Sequence, residues 1–308
     1  MLYKRVLITG ANGLLGQELV ALLSGYPEYD VLATARDAAA RFEGGSCGYV
    51  RLDISNPSAV KEIFQDFTPT AVINCAAMTQ VDECEVDRDD CWKVNAEAVE
   101  ILAKHCHQIG AHLVQVSTDF VFDGLDGPYR EDARPNPLSF YGKSKQAGEN
   151  AARGAGLEMW SVARTVLVYG TGHHLSRSNF ALWVIDKLSS GESIHVVTDQ
   201  VRTPTYAADL ASGIERIVRY GKSGIFHLSG RELLSIYEFA EIIAEVFDLD
   251  ASLIHPTDSS KFTQPAPRPS RSGFIILKSE TELGYKPRPI RQALRHLGAR
   301  LGLPVTSS

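Results

Sequence analysis

The sequence predicts an α/β protein: a Rossmann-type doubly wound parallel sheet with a smaller C-terminal substrate lobe. Three observations carry that expectation. Short apolar runs alternate with amphipathic segments through the first half, a glycine-spaced turn follows the first of those runs directly, and the alternation weakens after residue 164.

Strands are expected at Arg5 to Thr9, Asp30 to Ala35, Gly48 to Leu52, Ala71 to Cys75, His112 to Ser117 and Glu158 to Ala163. Each is an apolar run short enough for a strand buried on both faces. Helices are expected between them at Leu14 to Ser24, Pro57 to Phe67, Cys91 to Gly110 and Leu138 to Gly154. Residues 1–165, with returning segments near 193–228, read as a nucleotide-binding domain, and 166–308 mainly as the substrate lobe. In that second half, helices are expected near Asn179 to Ser190, Tyr206 to Tyr220 and Ile236 to Phe247. Lys261 to Ser272, with Pro265, Pro267 and Pro269 among Lys261, Arg268 and Arg271, should run extended over the surface, where its basic groups could close on a phosphate.

Composition narrows the function. The 308 residues are 44% hydrophobic and 22% charged, which suits a globular chain with a sizeable core and no low-complexity segment. A net charge of −6 argues against a nucleic-acid partner, because such binding draws on clustered Lys and Arg. No apolar run approaches the about 20 residues that span a bilayer, and Met1 to Gly10 reads as a strand and turn without the features of a signal peptide. Five cysteines, Cys47, Cys75, Cys84, Cys91 and Cys106, form no Cys-x-x-Cys pair, so reduced thiols and a cytoplasmic setting are expected. Cys84, Cys91 and Cys106 with His105 or His107 do not have the spacing of a closed zinc site, and no metal ligands are assigned.

The turn runs Thr9, Gly10, Ala11, Asn12, Gly13, Leu14, Leu15, Gly16 between a strand and a helix. Glycines there permit a tight turn and close approach of a pyrophosphate, which the helix N-terminus favours through its free amides and dipole. At the end of the second strand Arg36 favours the extra phosphate of NADP, while Asp37 leaves NAD open. Asp53 and Ile54 follow the third strand, placed for adenine, although Asp53 could instead cap the helix at Pro57.

Tyr141 and Lys145 stand four apart in a predicted helix and therefore share a face. An ammonium beside a phenol stabilises the phenolate, which would tune Tyr141 for proton transfer, and Lys145 can also hold a ribose. Ser117, Thr118 and Asp119 close the fifth strand, where open α/β sheets gather ligands. Thr118 and Tyr141 together would supply two hydrogen bonds to a carbonyl oxygen that receives a hydride at its carbon.

TGANGLLG, STDFVFDG and YGKSK together resemble the extended short-chain dehydrogenases/reductases, and within them the dTDP-4-dehydrorhamnose reductase family. VINCAAMTQVDECE, VNAEA, RTVLVYG, DQVRTPTYAADLA and RPSRS extend the resemblance over nearly the whole chain. It implies a catalytic Thr118, Tyr141 and Lys145 and an NAD(P)H-dependent reduction of a 4-keto-6-deoxy sugar nucleotide. Cofactor contacts are implied at Gly10, Asn12, Gly13, Leu14, Leu15, Gly16, Cys75, Ala76, Ala77, Thr79 and Asn95, with Ser117 beside them. Substrate contacts are implied at Val81, Thr118, Asp119, Phe120, Leu167, Arg202 and Arg268. The chain departs from the family's pattern at Phe120, where a Tyr is common, at Leu167, where a Trp is, and at Arg202, where a Gly is. Those departures should change which sugar fits or add a phosphate contact. The partner expected is a small-molecule nucleotide sugar, with a homodimer left open. Two other readings exist on the same scaffold: a non-catalytic regulatory NADP-binding subunit like that of methionine adenosyltransferase, and a sugar-nucleotide epimerase or dehydratase.

Overall fold

The computed structural model describes residues 3–43, 47–262 and 264–306, so Met1 and Leu2 of the expected N-terminal strand and Thr263 of the proline-rich segment lie outside the described residues. In chain order the elements are β1 (Lys4–Thr9), α1 (Leu14–Leu23), β2 (Tyr29–Ala35), β3 (Gly48–Arg51), α2 (Pro57–Phe67), β4 (Ala71–Asn74), α3 (Val81–Val86), α4 (Arg88–Trp92), α5 (Ala98–Ile109), β5 (His112–Thr118), α6 (Phe140–Gly154) and β6 (Trp160–Thr165). A single π turn, Lys93–Glu97, joins α4 to α5. The second half adds β7 (Val168–Tyr169), α7 (Phe180–Ser189), β8 (Ile194–Val197), β9 (Val201–Arg202), β10 (Thr205–Tyr206), α8 (Ala207–Tyr220), β11 (Gly224–His227), β12 (Leu234–Ser235), α9 (Ile236–Val246), β13 (Ile254–Thr257), α10 (Leu277–Leu283) and α11 (Ile290–Leu301).

Seven strands form one parallel sheet in the order β11-β6-β5-β4-β1-β2-β3. The order reverses at β1, so the carboxyl ends of β1 and β4 open the crevice where ligands of such sheets bind. Alternate residues feed two cores. Val6 and Ile8 of β1, Ala71 and Ile73 of β4 and Val114 of β5 face the core shared with α1 and α8, while Leu7, Val72 and Leu113 face that of α2 and α5. A third core gathers α7, α9 and α11 with the small strands. β11 joins the large sheet beside β6, whereas β8 pairs with β13.

Local sequence explains several boundaries. Asn56, not Asp53, caps α2: its side chain accepts from Ser58 N at 3.1 Å and Ala59 N at 3.2 Å, with Pro57 in the first turn. Asp53 instead closes a turn on Ser55 at 2.9 Å. The single helix expected from Cys91 to Gly110 is divided by the π turn. No helix among the described residues is long and apolar enough to cross a membrane.

Candidate active site

The turn after β1 is shaped by two close approaches. Gly10 has φ +67°, and a Cβ there would lie 2.7 Å from the backbone nitrogen of Ala76. At Gly16 a Cβ would lie 2.4 Å from the Gly10 carbonyl, so α1 can sit this close to the turn only with glycine. Gly13 precedes α1 with no side-chain cap, which leaves the amides of the first turn, including Leu14 and Leu15, available to an anion. This cradle fits a dinucleotide pyrophosphate. Asn12 is already engaged: its amide donates to Asp37 at 2.8 Å and to Ala39 O at 3.1 Å, and its carbonyl accepts from Arg41 N at 2.9 Å. Asn12 therefore braces the turn against the loop after β2.

That loop bears on cofactor choice. The Asp37 carboxylate is taken up by Asn12 and by Arg41 at 3.0 Å, and the Asn12 bond leads the contacts that hold it below the usual carboxylate range. Arg36 is exposed and has no side-chain partner among the described residues. One carboxylate is thus occupied while a guanidinium stands free at the end of β2. Ile54 is buried in the α2–α5 core, with Asp53 exposed beside it.

Cys75, Ala76, Ala77 and Met78 follow β4, half-buried on the crevice wall, and Thr79, exposed, accepts from Arg177. Asn95, in the π turn and 1% exposed, clamps this wall. Its carbonyl accepts from Met78 N at 2.9 Å and its amide donates to Met78 O at 2.9 Å and Ser144 Oγ at 3.0 Å. Both ends of the Asn95 amide are thus engaged in bracing the wall. Cys84 and Cys91 are buried together beside Tyr141, with Cys91 Sγ 3.3 Å from Ser144 Oγ. Cys106 packs separately, in the α5 core. No group of three or more His, Cys, Asp or Glu among the described residues is placed to hold a metal ion.

α6 presents the catalytic candidates. Ser139 caps it on Gly142 N at 3.1 Å, and Glu85 of α3 accepts from Phe140 N at 2.6 Å. Tyr141 and Lys145 are both buried on the same face, against the end of β5. Lys145 Nζ donates to Val116 O at 2.7 Å. Burial pulls Lys145 down to about 8, still largely protonated at neutral pH. The sequence suggested an ammonium that would acidify Tyr141; instead burial pushes the phenol well up, with the Thr118 hydroxyl working against that shift and Asp119 adding to it. Tyr141 is consequently a neutral phenol with a proton to give. The Thr118 hydroxyl lies 3.2 Å from Asp119 Oδ1 and accepts from Phe120 N at 3.2 Å, so it can turn toward a carbonyl only by exchanging the first contact. Ser117, by contrast, points into the protein and donates to Glu149 at 2.6 Å.

The substrate-side candidates fall into two groups. Phe120 meets Tyr141 edge to face at 5.6 Å, and Val81 packs on the same cluster. Leu167 holds φ +39°, a conformation rare for a branched side chain, and packs on the cores of both halves. The other group is ionic. Arg202 is 4% exposed and spends its donors on Pro269 O at 2.6 Å, Val201 O at 2.9 Å and Ser270 O at 3.2 Å, with Asp119 3.4 Å away. Asp119 also accepts from Ser272. Arg202 therefore holds the 269–272 segment onto the end of β5, where the sequence suggested a new phosphate contact. Arg268 pairs with Asp82 of α3 at 2.7 Å. The proline-rich segment departs from the extended surface run expected of it: Lys261 closes a single 3-10 turn, Ala266, Pro269 and Ser272 are buried, and Asp82 and Arg202 pin residues 266–270 in place. Asp82, Glu85 and Glu149 went unassigned in the sequence; of these, only Glu149 carried a signal, standing eight residues after Tyr141 on the same helix face.

A parallel sheet of this order, a glycine turn opening α1, and a Thr-Tyr-Lys grouping at the end of β5 together define an extended short-chain dehydrogenase/reductase. The chain belongs to the family described as RmlD substrate binding domain, whose model matches residues 4–302. It is similar over 97% of its length to a dTDP-4-dehydrorhamnose reductase of Clostridium acetobutylicum, covering 100% of that chain at 34% identity with a TM-score of 0.87. It is also similar, over 97% of its length and 100% of the other chain, to the dTDP-4-dehydrorhamnose reductase of Bacillus anthracis solved with NADP, at 32% identity and a TM-score of 0.85. The methionine adenosyltransferase 2 subunit beta of Xenopus tropicalis is 36% identical over 278 residues, which are 86% of this chain and 78% of that protein.

Proposed function

We propose that this protein uses NADPH to reduce the keto group of a 4-keto-6-deoxy sugar nucleotide. The observation that carries the reading is the buried grouping of Thr118, Tyr141 and Lys145 at the same sheet edge as the pyrophosphate cradle. A reduced nicotinamide, held by the glycine turn and Lys145, would supply the hydride. Thr118 and Tyr141 hold the keto oxygen, and Tyr141 gives its proton to that oxygen as negative charge develops. Lys145 orients the phenol and holds the nicotinamide ribose. The neutral state that burial imposes on Tyr141 suits a proton donor, and the cationic state of Lys145 suits a ribose anchor.

NADPH is preferred over NADH because Asp37 is occupied while Arg36 stands free for a 2′-phosphate. The NADP held by the Bacillus anthracis relative supports the same choice. A dehydratase needs a spare acid beside the tyrosine, and Asp119 is engaged by Arg202 and Ser272. The likeness to a methionine adenosyltransferase beta subunit favours a second reading, a nucleotide-binding subunit without turnover.

A screen of keto sugar nucleotides for NADPH oxidation separates these. Stoichiometric oxidation with a 4-keto substrate supports the reductase, and turnover without net oxidation supports an epimerase or dehydratase. Tight NADPH binding with no oxidation across the screen supports the regulatory subunit.

A further inference from the structure

A second ionic group lies on the Tyr141 and Lys145 face of α6. Tyr141, Lys145 and Glu149 follow one another at four-residue intervals and form a single stripe. Three consecutive residues at the end of β5 take one each. The Val116 carbonyl accepts from Lys145 at 2.7 Å, the Ser117 hydroxyl donates to Glu149 at 2.6 Å, and the Thr118 hydroxyl adjoins Tyr141. On β6, Arg164 stands in register with Ser117 and closes on Glu149 with two bonds, Nε to Oε1 at 2.8 Å and Nη2 to Oε2 at 2.7 Å.

Glu149 is 5% exposed and Arg164 1%. A buried pair of this kind seldom adds net stability over apolar residues of similar volume, so its presence asks for another role.

We propose that Glu149 is a positioning residue: tied to Ser117 and Arg164, it fixes the height of α6 against β5 and sets a carboxylate one turn from the Lys145 ammonium. The proposal rests on the assignment of Tyr141 and Lys145 made above. Burial weakens the cationic form of Lys145; Glu149 is the foremost group opposing that loss, ahead of the thiols of Cys75 after β4, Cys91 of α4 and Cys84 of α3. Without the carboxylate, Lys145 gives up its proton at lower pH, and the ribose then loses a charged donor.

Glu149→Gln keeps an acceptor for Ser117 and removes the charge. The readout is NADPH affinity of the full chain, followed by the fluorescence of the nucleotide from about pH 6 to about pH 9. Wild-type affinity should weaken as pH rises through about 8, where Lys145 is neutralised. In Glu149→Gln the midpoint should move down by about one pH unit, with about fivefold weaker binding near pH 8 and under about twofold near pH 6.5. Glu149→Asp, which keeps the charge, should restore the midpoint. An unchanged midpoint, an equal loss at every pH, or a wild-type affinity independent of pH overturns the proposal.

If Glu149→Gln does not fold, because Arg164 is left without its counter-ion, Glu149→Gln with Arg164→Met removes both charges. A downward shift in that variant supports the proposal and an unmoved midpoint overturns it. Binding reports on Lys145 without turnover, so a blank substrate screen refutes the reductase reading and leaves this measurement valid. An active enzyme with an unshifted Glu149→Gln profile refutes the positioning role alone.

Discussion

Single side chains decide the chemistry, and two of them give separable tests. In the proposed reduction Tyr141 supplies the proton and takes little part in the pyrophosphate cradle, so Tyr141→Phe should lower turnover by about 10²-fold or more while leaving NADPH affinity near wild type. Turnover close to wild type in that variant would refute the assignment of Tyr141 as acid. Arg36 should act on binding alone. Because it is exposed and has no side-chain partner among the described residues, Arg36→Ala should leave stability unchanged and weaken NADPH by about tenfold with little effect on NADH, as titrations with the two nucleotides would read. Equal losses would remove Arg36 as the selector. Tyr141 and Lys145 were legible in the sequence because a helix puts residues four apart on one face, whatever else the fold does. The ionisation of Tyr141 was not legible, since burial by groups distant in sequence outweighs the neighbouring ammonium.

At the scale of elements, the segment at 264–272 is held by side chains from three parts of the chain. Arg268 pairs with Asp82 of α3, Arg202 of β9 reaches Pro269 and Ser270, and Ser272 meets Asp119 at the end of β5. Arg202→Met would strand the Asp119 carboxylate in a buried site with only hydroxyl partners. That change should cost about 3–5 kcal/mol of stability, measured by denaturant unfolding. Adding Asp119→Asn should recover a large part of the loss, and no recovery would show that Asp119 is not what Arg202 stabilises. The elements themselves were largely visible beforehand, since the apolar periodicity placed six strands of the large sheet within a few residues. β11 of the large sheet, the short strands β7–β10, β12 and β13, and the helices α3, α10 and α11 were missed. α3 has six residues and α10 seven, too short to show a period. α11 follows the Pro287 and Pro289 pair, whose turn signal masked the helix behind it.

The molecule as a whole buries two histidines that bear on its response to acid. Burial pulls His112 down to about 4 and holds His227, stacked on Phe274 at 3.8 Å, well below its ordinary value. Both are neutral when folded and take up protons when unfolded below about pH 6.5. Their contribution is therefore complete above about pH 6.5 and is lost as pH falls from there toward 4. Melting temperature should fall between about pH 7 and about pH 5, and His227→Leu should flatten that slope. An identical slope in the variant would exclude His227 as a contributor.

What the sequence determined by itself was everything local in spacing: the strand and helix alternation, the glycine turn, the stripe of Tyr141 and Lys145, and Thr118 at a strand end. These follow from backbone periodicity and from residues whose conformational range is unusual, and neither depends on the rest of the chain. The tertiary structure alone decided which polar groups were free. Asn12, Asn95, Asp119 and Arg202, all expected as ligand contacts, have side chains engaged by partners from 17 to 83 residues away. A buried polar group binds whatever complementary group folding brings within about 3 Å, and sequence spacing does not record that neighbour.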